Sequence, residues 1–467
     1  MTGSAGGPTP RATRLVDDRR IRPLNRAPDA PGDYVLYWMQ QSQRAEWNPA
    51  LEYAVRRANE RRLPLLVGFG LTDDYPDANL RHYRFMLEGL QLTGRALHRR
   101  GIAFALRTGR PDDVALELAG RAAVVVCDRG YLRHQRAWRR RVADVAGRPV
   151  IEVEGDVVVP VDVTSDKAEY AARTIRPKIH AHLDDFLVGQ RTNAVHRDGL
   201  GLAIDGLDLE DLDGLLHGLA IDRGVPPSPR FRGGTARARA HLHRFLEHDL
   251  ELYGSRRARP YEDHVTHLGP YLHFGQISPA YVVARLAAAT ALKGENAEAL
   301  VEELVVRREL AANFVLHNPD YDRFQCLPSW ARRTLDRHAR DPRPHIYTQN
   351  QLADGQTHDP VWNAAMRELR VTGYMHNAMR MYWGKKILEW TRSPEAGFRT
   401  ALALNNRYFL DGRDPNSFAN VAWVFGLHDR PWKERPVFGT VRTMTASGLR
   451  RKMDPDAYLA WVDGLTA

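Results

Sequence analysis

The stretch AAVVVC, residues 122–127, is a continuous apolar run with the length of one buried β-strand. Comparable runs are YVLYWM (34–39), LPLLVGF (63–69), IAFALR (102–107) and one that begins at Val150, and helix-length segments separate them at about 47–61, 81–100, 111–120 and 133–146. Apolar strands that alternate with helices are typical of a parallel sheet covered on both faces. The sequence therefore predicts a doubly wound α/β domain at about 33–163, with any ligand beyond the carboxyl ends of its strands.

Composition changes on both sides of this domain. Residues 1–32 are rich in Gly, Pro and Arg without periodicity, so we expect a disordered basic arm. Residues 164–235 predict a helical connector and then a linker that contains VPPSPRFRGG (225–234). Helical periodicity dominates 236–467, including 360–392. The predicted fold is an N-terminal α/β doubly wound parallel-sheet domain followed by an all-α C-terminal domain.

Several classes of function are disfavoured by what the chain lacks. No apolar run reaches the ~20 residues that cross a bilayer, and two cysteines cannot build a disulfide framework or a four-thiolate metal site. A GxGxxG motif after the first strand and a GxxxxGK[ST] motif are both missing, which disfavours a common dinucleotide oxidoreductase and a P-loop ATPase. We expect a cytoplasmic protein without a membrane segment or a metal site.

The charge balance points to an anionic partner. Lys and Arg number 67 against 57 acidic residues, a net charge of +10 with neutral histidines. A basic surface binds nucleic acid with release of counterions. An arginine-rich composition from a GC-rich genome would give the same balance, so charge alone leaves both explanations open.

One helical segment near the C-terminus combines aromatic residues with a cation. Trp383 and Trp390 are seven residues apart and therefore share a helix face, and Arg380 precedes Trp383 by one turn. A buried aromatic stripe would give the same spacing, but an arginine on such a stripe requires an anionic partner.

The polar segment LNNRYFLDGRDPN (404–416) supplies a candidate partner. Its DG and DPN turns predict a structured loop between helices. Asp411 is placed to pair with Arg380, and Asn405 offers both a donor and an acceptor to a heterocycle.

These segments belong to a set of long motifs that resemble one family. The motifs occur in the family's order over about 33–455 and closely resemble those of class II cyclobutane pyrimidine dimer (CPD) photolyases, within the photolyase/cryptochrome family. They are YWMQQSQRAEWNPAL (37–51), SDKAEYAARTIRPKI (165–179), PYLHFGQISP (270–279), EELVVRRELAANF (302–314), MHNAMRMYWGKKILEW (375–390), NRYFLDGRDPNSFANVAW (406–423) and HDRPWKERPVFGTVR (428–442).

The resemblance implies a fold, two cofactors and a reaction. It implies FAD in the helical domain and an antenna chromophore in the α/β domain, for which many members of the class use a deazaflavin of the 8-HDF type. The implied partner is double-stranded DNA whose pyrimidine dimer is flipped over the flavin, and light-excited FADH⁻ would pass an electron to the dimer and regain it after the ring splits. The protein would act as a cytoplasmic monomer, at the nucleoid during repair. The alternative is a cryptochrome-type flavin photoreceptor without repair activity.

The resemblance also assigns residues to the flavin. Around the isoalloxazine it implies Arg380, Asp411, Arg413 and Asn405, with Asn405 facing N5. Along the phosphates and ribityl chain it implies Tyr253, Val265, Thr266, His267, Leu268 and Gly269, where Gly269 replaces a serine common in the family.

Electron transfer and substrate binding take a further set. The implied electron chain runs from Trp383, nearest the flavin, through Trp362 to Trp390. The implied dimer pocket contains Trp423, Met381 and Glu303. We expect the Glu303 side chain to be buried and to form a hydrogen bond with a dimer base. Arg430 and Arg442, with Arg435, would hold DNA phosphates. The basic run 129–141 is interpreted as a solvated helix face rather than a chromophore site.

Overall fold

The N-terminal part of the chain is built around a six-stranded sheet. The computed structural model describes residues 16–465. The strands are β1 (Ile21–Pro23), β2 (Tyr34–Trp38), β3 (Leu65–Leu71), β4 (Ala103–Thr108), β5 (Ala122–Asp128) and β6 (Val150–Val153). Strands β2 to β6 coincide with the five apolar runs within a few residues, and the sequence analysis missed β1.

The sheet confirms the doubly wound prediction. Its strand order is β1-β6-β5-β2-β3-β4, and β2 to β6 are parallel. Side chains of β2 alternate between two cores, with Val35 and Tyr37 in one and Leu36 and Trp38 in the other. Because the strand order reverses between β2 and β5, the carboxyl ends of these strands open into a crevice. Helices Pro49–Arg61, Leu80–His98, Pro111–Ala119 and Arg133–Val145 connect the strands.

The expected disordered arm is wrong for residues 16–32. Residues 1–15 lie outside the described residues. Strand β1 pairs antiparallel with β6, and Arg20 is buried, with Nη1 donating to the Glu154 carbonyl at 3.1 Å. A proline such as Pro23 is tolerated there because an edge strand leaves one side of its backbone unpaired.

The predicted linker at 188–235 packs against the α/β domain instead. Leu207 N–H donates to the Leu106 carbonyl at 2.7 Å, and Leu212 and Leu216 are buried in the sheet core. The glycines in this segment suggested a flexible chain. A few widely spaced leucines are enough to hold the segment against the α/β domain. The helical connector is present as Ala172–Phe186.

The C-terminal part is helical, as predicted. No helix in the described part of the chain is both long and apolar enough to cross a membrane. π-helical turns at Phe245–Asp249 and Glu302–Arg307 interrupt two of the longer helical runs. The longer helices are Thr235–Arg244, Leu250–Arg256, Pro279–Thr290, Glu295–Val301, Arg308–His317, Ser329–Arg337, Pro360–Thr372, Asn377–Trp390, Pro394–Tyr408, Pro415–Val424 and Pro455–Asp463.

Two boundaries differ from the sequence analysis. The helical pattern at 360–392 is two helices, because Gly373 ends the first with a left-handed φ of 75°. The polar segment 404–416 is a loop only at 409–414, so Asn405 lies in the last helical turn of Pro394–Tyr408. A helix end, unlike a loop, fixes the direction of that side chain.

Candidate functional site

An arginine–carboxylate pair joins helix Asn377–Trp390 to the loop that follows Tyr408. Nη1 and Nη2 of Arg380 each donate to one oxygen of Asp411 at 3.1 Å. Nε donates to the Met375 carbonyl at 2.8 Å, and the guanidinium lies 4.2 Å from the Phe409 ring centre. The pairing expected from the sequence is therefore confirmed. A bidentate pair of this kind fixes the guanidinium plane relative to the carboxylate plane, so the positive charge of Arg380 has a defined direction.

Buried polar groups missed by the sequence analysis lie close to this pair. Tyr458 Oη donates to Glu368 Oε2 at 2.6 Å, and burial raises the pKa of Glu368 to about 7. Burial lowers the pKa of His376 to about 4, so this imidazole is neutral at neutral pH. The only sequence pattern that could have indicated Glu368 is the position of a glutamate on an apolar helix face.

Asn405 is held by its neighbours. It is buried, and its Nδ2 donates to Asn406 Oδ1 at 3.1 Å. The same Asn406 oxygen accepts from the Arg413 backbone N–H at 3.1 Å, and Asn406 Nδ2 donates to Asp77 at 2.9 Å. These bonds orient the Asn405 amide and leave its oxygen available to a ligand.

The segment assigned to the flavin phosphates is tightly constrained. His267 has a left-handed φ of 51°, is buried, and has its Nε2 2.7 Å from Asp263. A Cβ on Gly269 would lie 2.5 Å from the Asp411 carboxylate, which accounts for glycine where the family commonly has serine. Tyr253 is buried, with the Arg257 guanidinium 5.3 Å from its ring centre. Val265 and Thr266 are half-buried, and Leu268 is buried.

The chemistry of these side chains fits a flavin dinucleotide. Within the described residues, the buried polar atoms here without a hydrogen-bond partner include Trp383 Nε1, His376 Nε2 and His267 Nδ1. Ring contacts link them to the Arg380 pair, since Tyr374 lies 5.1 Å from His267 and Phe409 lies 6.0 Å from Trp383. Unsatisfied polar atoms among aromatic rings suit a flat heterocycle with polar edges.

The three assigned tryptophans lie on two neighbouring helices. Trp383 and Trp390 share helix Asn377–Trp390, and Trp362 approaches from Pro360–Thr372, as the spacing predicts. Trp362 Nε1 donates to the Trp383 carbonyl at 3.1 Å, and the Trp362 and Trp390 ring centres are 5.7 Å apart. All three are buried.

Polar aromatic residues continue from Trp390 to the surface. Its ring centre lies 5.6 Å from Tyr347 and 5.0 Å from His358, and His358 stacks on the exposed His345 at 3.7 Å. Tyr347 Oη lies 2.7 Å from His358 Nδ1. Trp390 is therefore the member of the three that is connected to the surface.

A cavity opens beside Met381 and Trp423. Its wall also includes Lys385, Arg442 and Trp432. Glu303 is not part of this wall. Contrary to expectation it is exposed, with its carboxylate 3.6 Å from Arg257, and it lies in the π-helical turn Glu302–Arg307. A π-helical turn rotates side chains away from the α-helical positions that the sequence pattern assumes.

Cations and indole rings alternate along the rim of this cavity and form what we call the cation–indole ladder. Lys385 and Arg442 lie 5.1 and 5.6 Å from the Trp423 ring, and Arg442 and Arg430 lie 4.1 and 5.2 Å from the Trp432 ring. Each contact is a cation–π interaction. Burial lowers the pKa of Lys385 to about 7. Lys385 and Trp432 were not found from the sequence.

The rim of the cavity also contains a carboxylate and exposed arginines. Asp429 anchors the ladder by accepting from Arg442 Nε at 3.0 Å and from Trp432 Nε1 at 3.2 Å. Arg430 and Arg435 are exposed, and Arg435 lines the cavity. The three arginines assigned to DNA therefore lie together at the mouth of one cavity.

A second cleft lies at the carboxyl ends of the strands and is called here the strand-end cleft. Tyr75 and Trp138 form an aromatic wall. Gln43 and Arg413 also line the cleft, and within the described residues each has one buried polar atom without a hydrogen-bond partner. The run 129–141 was expected to be a solvated face, but Leu132, Gln135 and Trp138 line the cleft. The arginines of this run lie on other faces of the helix, because successive helix residues point in different directions.

Comparison with known proteins identifies the family. Residues 35–196 match the DNA photolyase model, and residues 300–462 match the FAD-binding domain of DNA photolyase. The deoxyribodipyrimidine photo-lyase of Methanothermobacter thermautotrophicus is 47% identical over 452 residues, 97% of this chain and 99% of the relative. The chain belongs to the photolyase/cryptochrome family.

Other members of the photolyase/cryptochrome family agree in sequence and fold. The deoxyribodipyrimidine photo-lyase of Potorous tridactylus is 40% identical over 424 residues, 90% of this chain and 79% of that one. A photolyase of Sulfolobus tokodaii, solved with two FAD molecules, has the same fold, with a TM-score of 0.69 at 18% identity over 91% of this chain and 88% of that one.

The family match locates most of the assigned residues. The Arg380–Asp411 pair, the tryptophans and the cavity beside Trp423 lie in the segment matched by the FAD-binding model. Tyr253 and residues 265–269 lie between the two matched segments, so their assignment depends on the contacts described above. Arg413 lies in the wall of the strand-end cleft, and its Nη1 donates to the Asn406 carbonyl at 3.3 Å.

Proposed function

We propose that this chain is a class II CPD photolyase, which uses light to split cyclobutane pyrimidine dimers in double-stranded DNA. One observation carries the proposal: Arg380 of the paired site and Met381 of the cavity are consecutive residues of one helix, and Trp383 lies two residues further along it. A ligand against Arg380 and a base against Met381 would thus be separated by little more than one side chain. The names of the close relatives support the same reaction.

Each part of the site has a distinct task. FAD, when bound, supplies the electron donor that light excites. Arg380 holds a fixed positive charge whose direction Asp411 sets, and the Asn405 oxygen would accept from or face the edge of the heterocycle. Met381 and Trp423 provide an adaptable and a flat apolar surface for the flipped dimer. Trp383, Trp362 and Trp390 would carry electrons inward from the surface.

The DNA would be held outside this pocket. The cation–indole ladder presents Arg442 and Arg430 beside the cavity, where phosphates flank a flipped lesion. A dimer stacks poorly, so its extrusion costs less than that of intact bases and favours damaged sites. We propose that the protein works as a monomer in the cytoplasm, on nucleoid DNA. Glu303 would join the pocket only if its side chain turns inward.

The strand-end cleft is proposed as the antenna site, with a deazaflavin of the 8-HDF type as its ligand. Its position outside the carboxyl ends of the strands is where doubly wound sheets bind ligands. The aromatic wall of Tyr75 and Trp138 suits a flat ring, and the unpaired atoms of Gln43 and Arg413 suit its polar edge. These groups would hold the ring in place, and they would exclude water from its face.

The experiment that tests the repair function uses an oligonucleotide duplex with one thymine dimer. The FAD-loaded, reduced protein should remove the dimer under blue light and leave it intact in the dark. Retention of the dimer under light, with FAD bound and reduced, would contradict repair and favour the cryptochrome-type photoreceptor.

Trp423→Ala should weaken discrimination between damaged and intact DNA while FAD stays bound. Stacking of a base on an aromatic residue contributes about 1–3 kcal/mol, roughly five- to 150-fold in affinity. Affinities for paired duplexes with and without the dimer give the ratio. Trp138→Ala, in the strand-end cleft, is the matched control and should leave the ratio unchanged. An unchanged ratio in Trp423→Ala would mean that this indole only packs the protein.

Arg442→Ala should reduce the salt dependence of DNA binding. Each phosphate contact contributes close to one to the slope of log affinity against log salt, so the slope should fall by about one. Arg110→Ala removes an exposed arginine of the α/β domain and serves as the control. Equal slopes for Arg442→Ala and the wild type would show that Arg442 holds Trp423 and Trp432 but no phosphate.

A further inference from the structure

The cavity beside Met381 and Trp423 contains a buried amine without a counter-ion. Lys385 lines this cavity and is 1% exposed, and its Nζ lies 5.1 Å from the Trp423 ring centre. The amine donates to the Val424 carbonyl, which is its one hydrogen-bond acceptor within the described residues. A protonated lysine has three N–H donors, so two remain for whatever fills the cavity.

The charges around Lys385 compensate its ammonium form poorly. Burial lowers its pKa to about 7, and of the two charged side chains that act on it, Asp429 raises the pKa and Arg442 lowers it. Asp429 is already paired with Arg442 at 3.0 Å. Among the described residues, the helices packed against Asn377–Trp390 add no charged side chain that shifts this pKa. Near neutral pH the amine is therefore only partly protonated.

Damaged DNA would supply the missing negative charge. Phosphates that flank a flipped dimer would reach the mouth of the cavity, where Arg430, Arg435 and Arg442 lie. A dimer inside the cavity would also displace water from the amine and offer carbonyl oxygens as acceptors. Nearby negative charge favours the ammonium over the neutral amine. Intact DNA keeps its bases stacked and leaves the cavity empty, so it would favour the ammonium less.

We propose that Lys385 couples the binding of damaged DNA to the uptake of one proton from solvent. The inference rests on the proposed function, because it requires a flipped dimer in this cavity. As the dimer enters, the amine would become an ammonium beside the Trp423 ring on which the dimer would stack. Lys385 thereby determines specificity, since damaged DNA gains more from the new charge than intact DNA does.

The coupling has a defined pH dependence. The pKa of Lys385 is about 7 in the free protein and would rise on binding. The gain in affinity is therefore fully present below about pH 7 and is lost as the pH rises through the pKa of the bound state. Each unit by which binding raises this pKa contributes about tenfold in affinity. The ratio of affinities for damaged and intact duplex should fall by about that factor between about pH 6 and pH 9.

The test measures proton uptake directly. FAD-loaded protein is titrated in the dark with a duplex that contains one thymine dimer, by calorimetry at about pH 8 in HEPES and in Tris, whose ionisation enthalpies differ. The difference between the two binding enthalpies gives the number of protons taken up. The wild type should take up about 0.4 proton if binding raises the pKa by one unit and about 0.8 if it raises it by two. The same duplex without the dimer should give clearly less.

Two substitutions of Lys385 and one of its neighbour separate the charge from the packing. Lys385→Met keeps an unbranched side chain without the amine, so proton uptake and the pH dependence of discrimination should both vanish. Lys385→Arg keeps a cation that needs no added proton, so uptake should vanish while discrimination at about pH 8 is kept. Lys386→Met is the matched control, because Lys386 pairs with Glu389 at 2.7 Å and is not part of the cavity wall. It should take up protons as the wild type does.

The outcomes distinguish failure of this proposal from failure of the proposed function. Zero uptake by the wild type, equal uptake with damaged and intact duplex, or unchanged uptake in Lys385→Met overturns the role of Lys385. Each of these results leaves the proposed function standing if the damaged duplex is bound preferentially. Equal affinity of the wild type for both duplexes at every pH contradicts dimer binding itself. If Lys385→Met loses FAD or does not fold, the comparison of the two duplexes with the wild type decides.

Discussion

Trp383→Phe should abolish light-driven reduction of the flavin while repair by chemically reduced protein persists. Trp383 is buried against Phe409 next to the Arg380 pair, and its carbonyl accepts from the Trp362 indole. A phenyl ring preserves most of the packing at this position but is much harder to oxidise than an indole. Electrons from the surface would then lack the carrier closest to the flavin. We expect at least a hundredfold loss of the photoreduction rate, on the order of 3 kcal/mol in barrier.

The measurement is the absorption of bound flavin during illumination with an external reductant under anaerobic conditions. Trp330→Phe is the matched control, because Trp330 packs against the same helical core but, among the described residues, forms no ring contact with any of the three tryptophans. Repair by dithionite-reduced protein is measured in parallel and should be retained in both variants. Normal photoreduction in Trp383→Phe would remove Trp383 from the electron chain. Loss of both photoreduction and repair would instead indicate that the flavin site is damaged.

The sequence predicts best those features that depend on local periodicity or on contact between a few strongly interacting residues. The apolar runs around 34–39 and 122–127 became parallel strands because runs without alternation must be buried on both faces. The pairing of Arg380 with Asp411 could be predicted because a half-buried guanidinium needs an anion. Two tryptophans seven residues apart had to share a helix face.

Features that depend on distant packing were predicted poorly. Residues 16–32 and 188–235 have the composition of flexible chain, yet each is held by backbone bonds to a strand or its edge. Glu303 was expected to be buried, but the π-helical turn and Arg257 keep it at the surface. The Lys385 ammonium lies under the Trp423 ring because two helices meet there, and no local pattern marks that contact.

A substitution at the flavin edge can show whether a residue binds the flavin or controls its reduction. Asn405→Asp is the most direct substitution of this kind. The wild-type amide donates to Asn406 Oδ1 at 3.1 Å and leaves its own oxygen free. Aspartate has nearly the same shape, so FAD should remain bound. As a carboxylate it would bring a negative charge next to the heterocycle and favour a protonated N5 through its acceptor oxygens.

We therefore expect the first electron to be taken up normally under light and the second to be taken up slowly. Two like charges about 4 Å apart at an effective dielectric constant of about 20 repel by about 4 kcal/mol, which exceeds the 1.4 kcal/mol of a tenfold effect. The second reduction should thus be slower by about tenfold or more. Spectra recorded during anaerobic illumination measure both steps, and FAD content measures binding.

Asn416→Asp is the matched control for this prediction. It makes the same chemical change in the first turn of helix Pro415–Val424, where the Asn416 amide donates to Asp414 at 2.8 Å and, among the described residues, forms no hydrogen bond with Asn405. Both reductions should proceed in Asn416→Asp at the wild-type rate. If Asn405→Asp reaches full reduction as fast as the wild type, Asn405 is not the partner of N5. Asn406 is then the next residue to test, although its amide is already bound to Asp77 and its oxygen to the Arg413 backbone. Because both of its polar atoms are occupied, Asn406 would have to break one of these bonds to reach N5, whereas Asn405 would not.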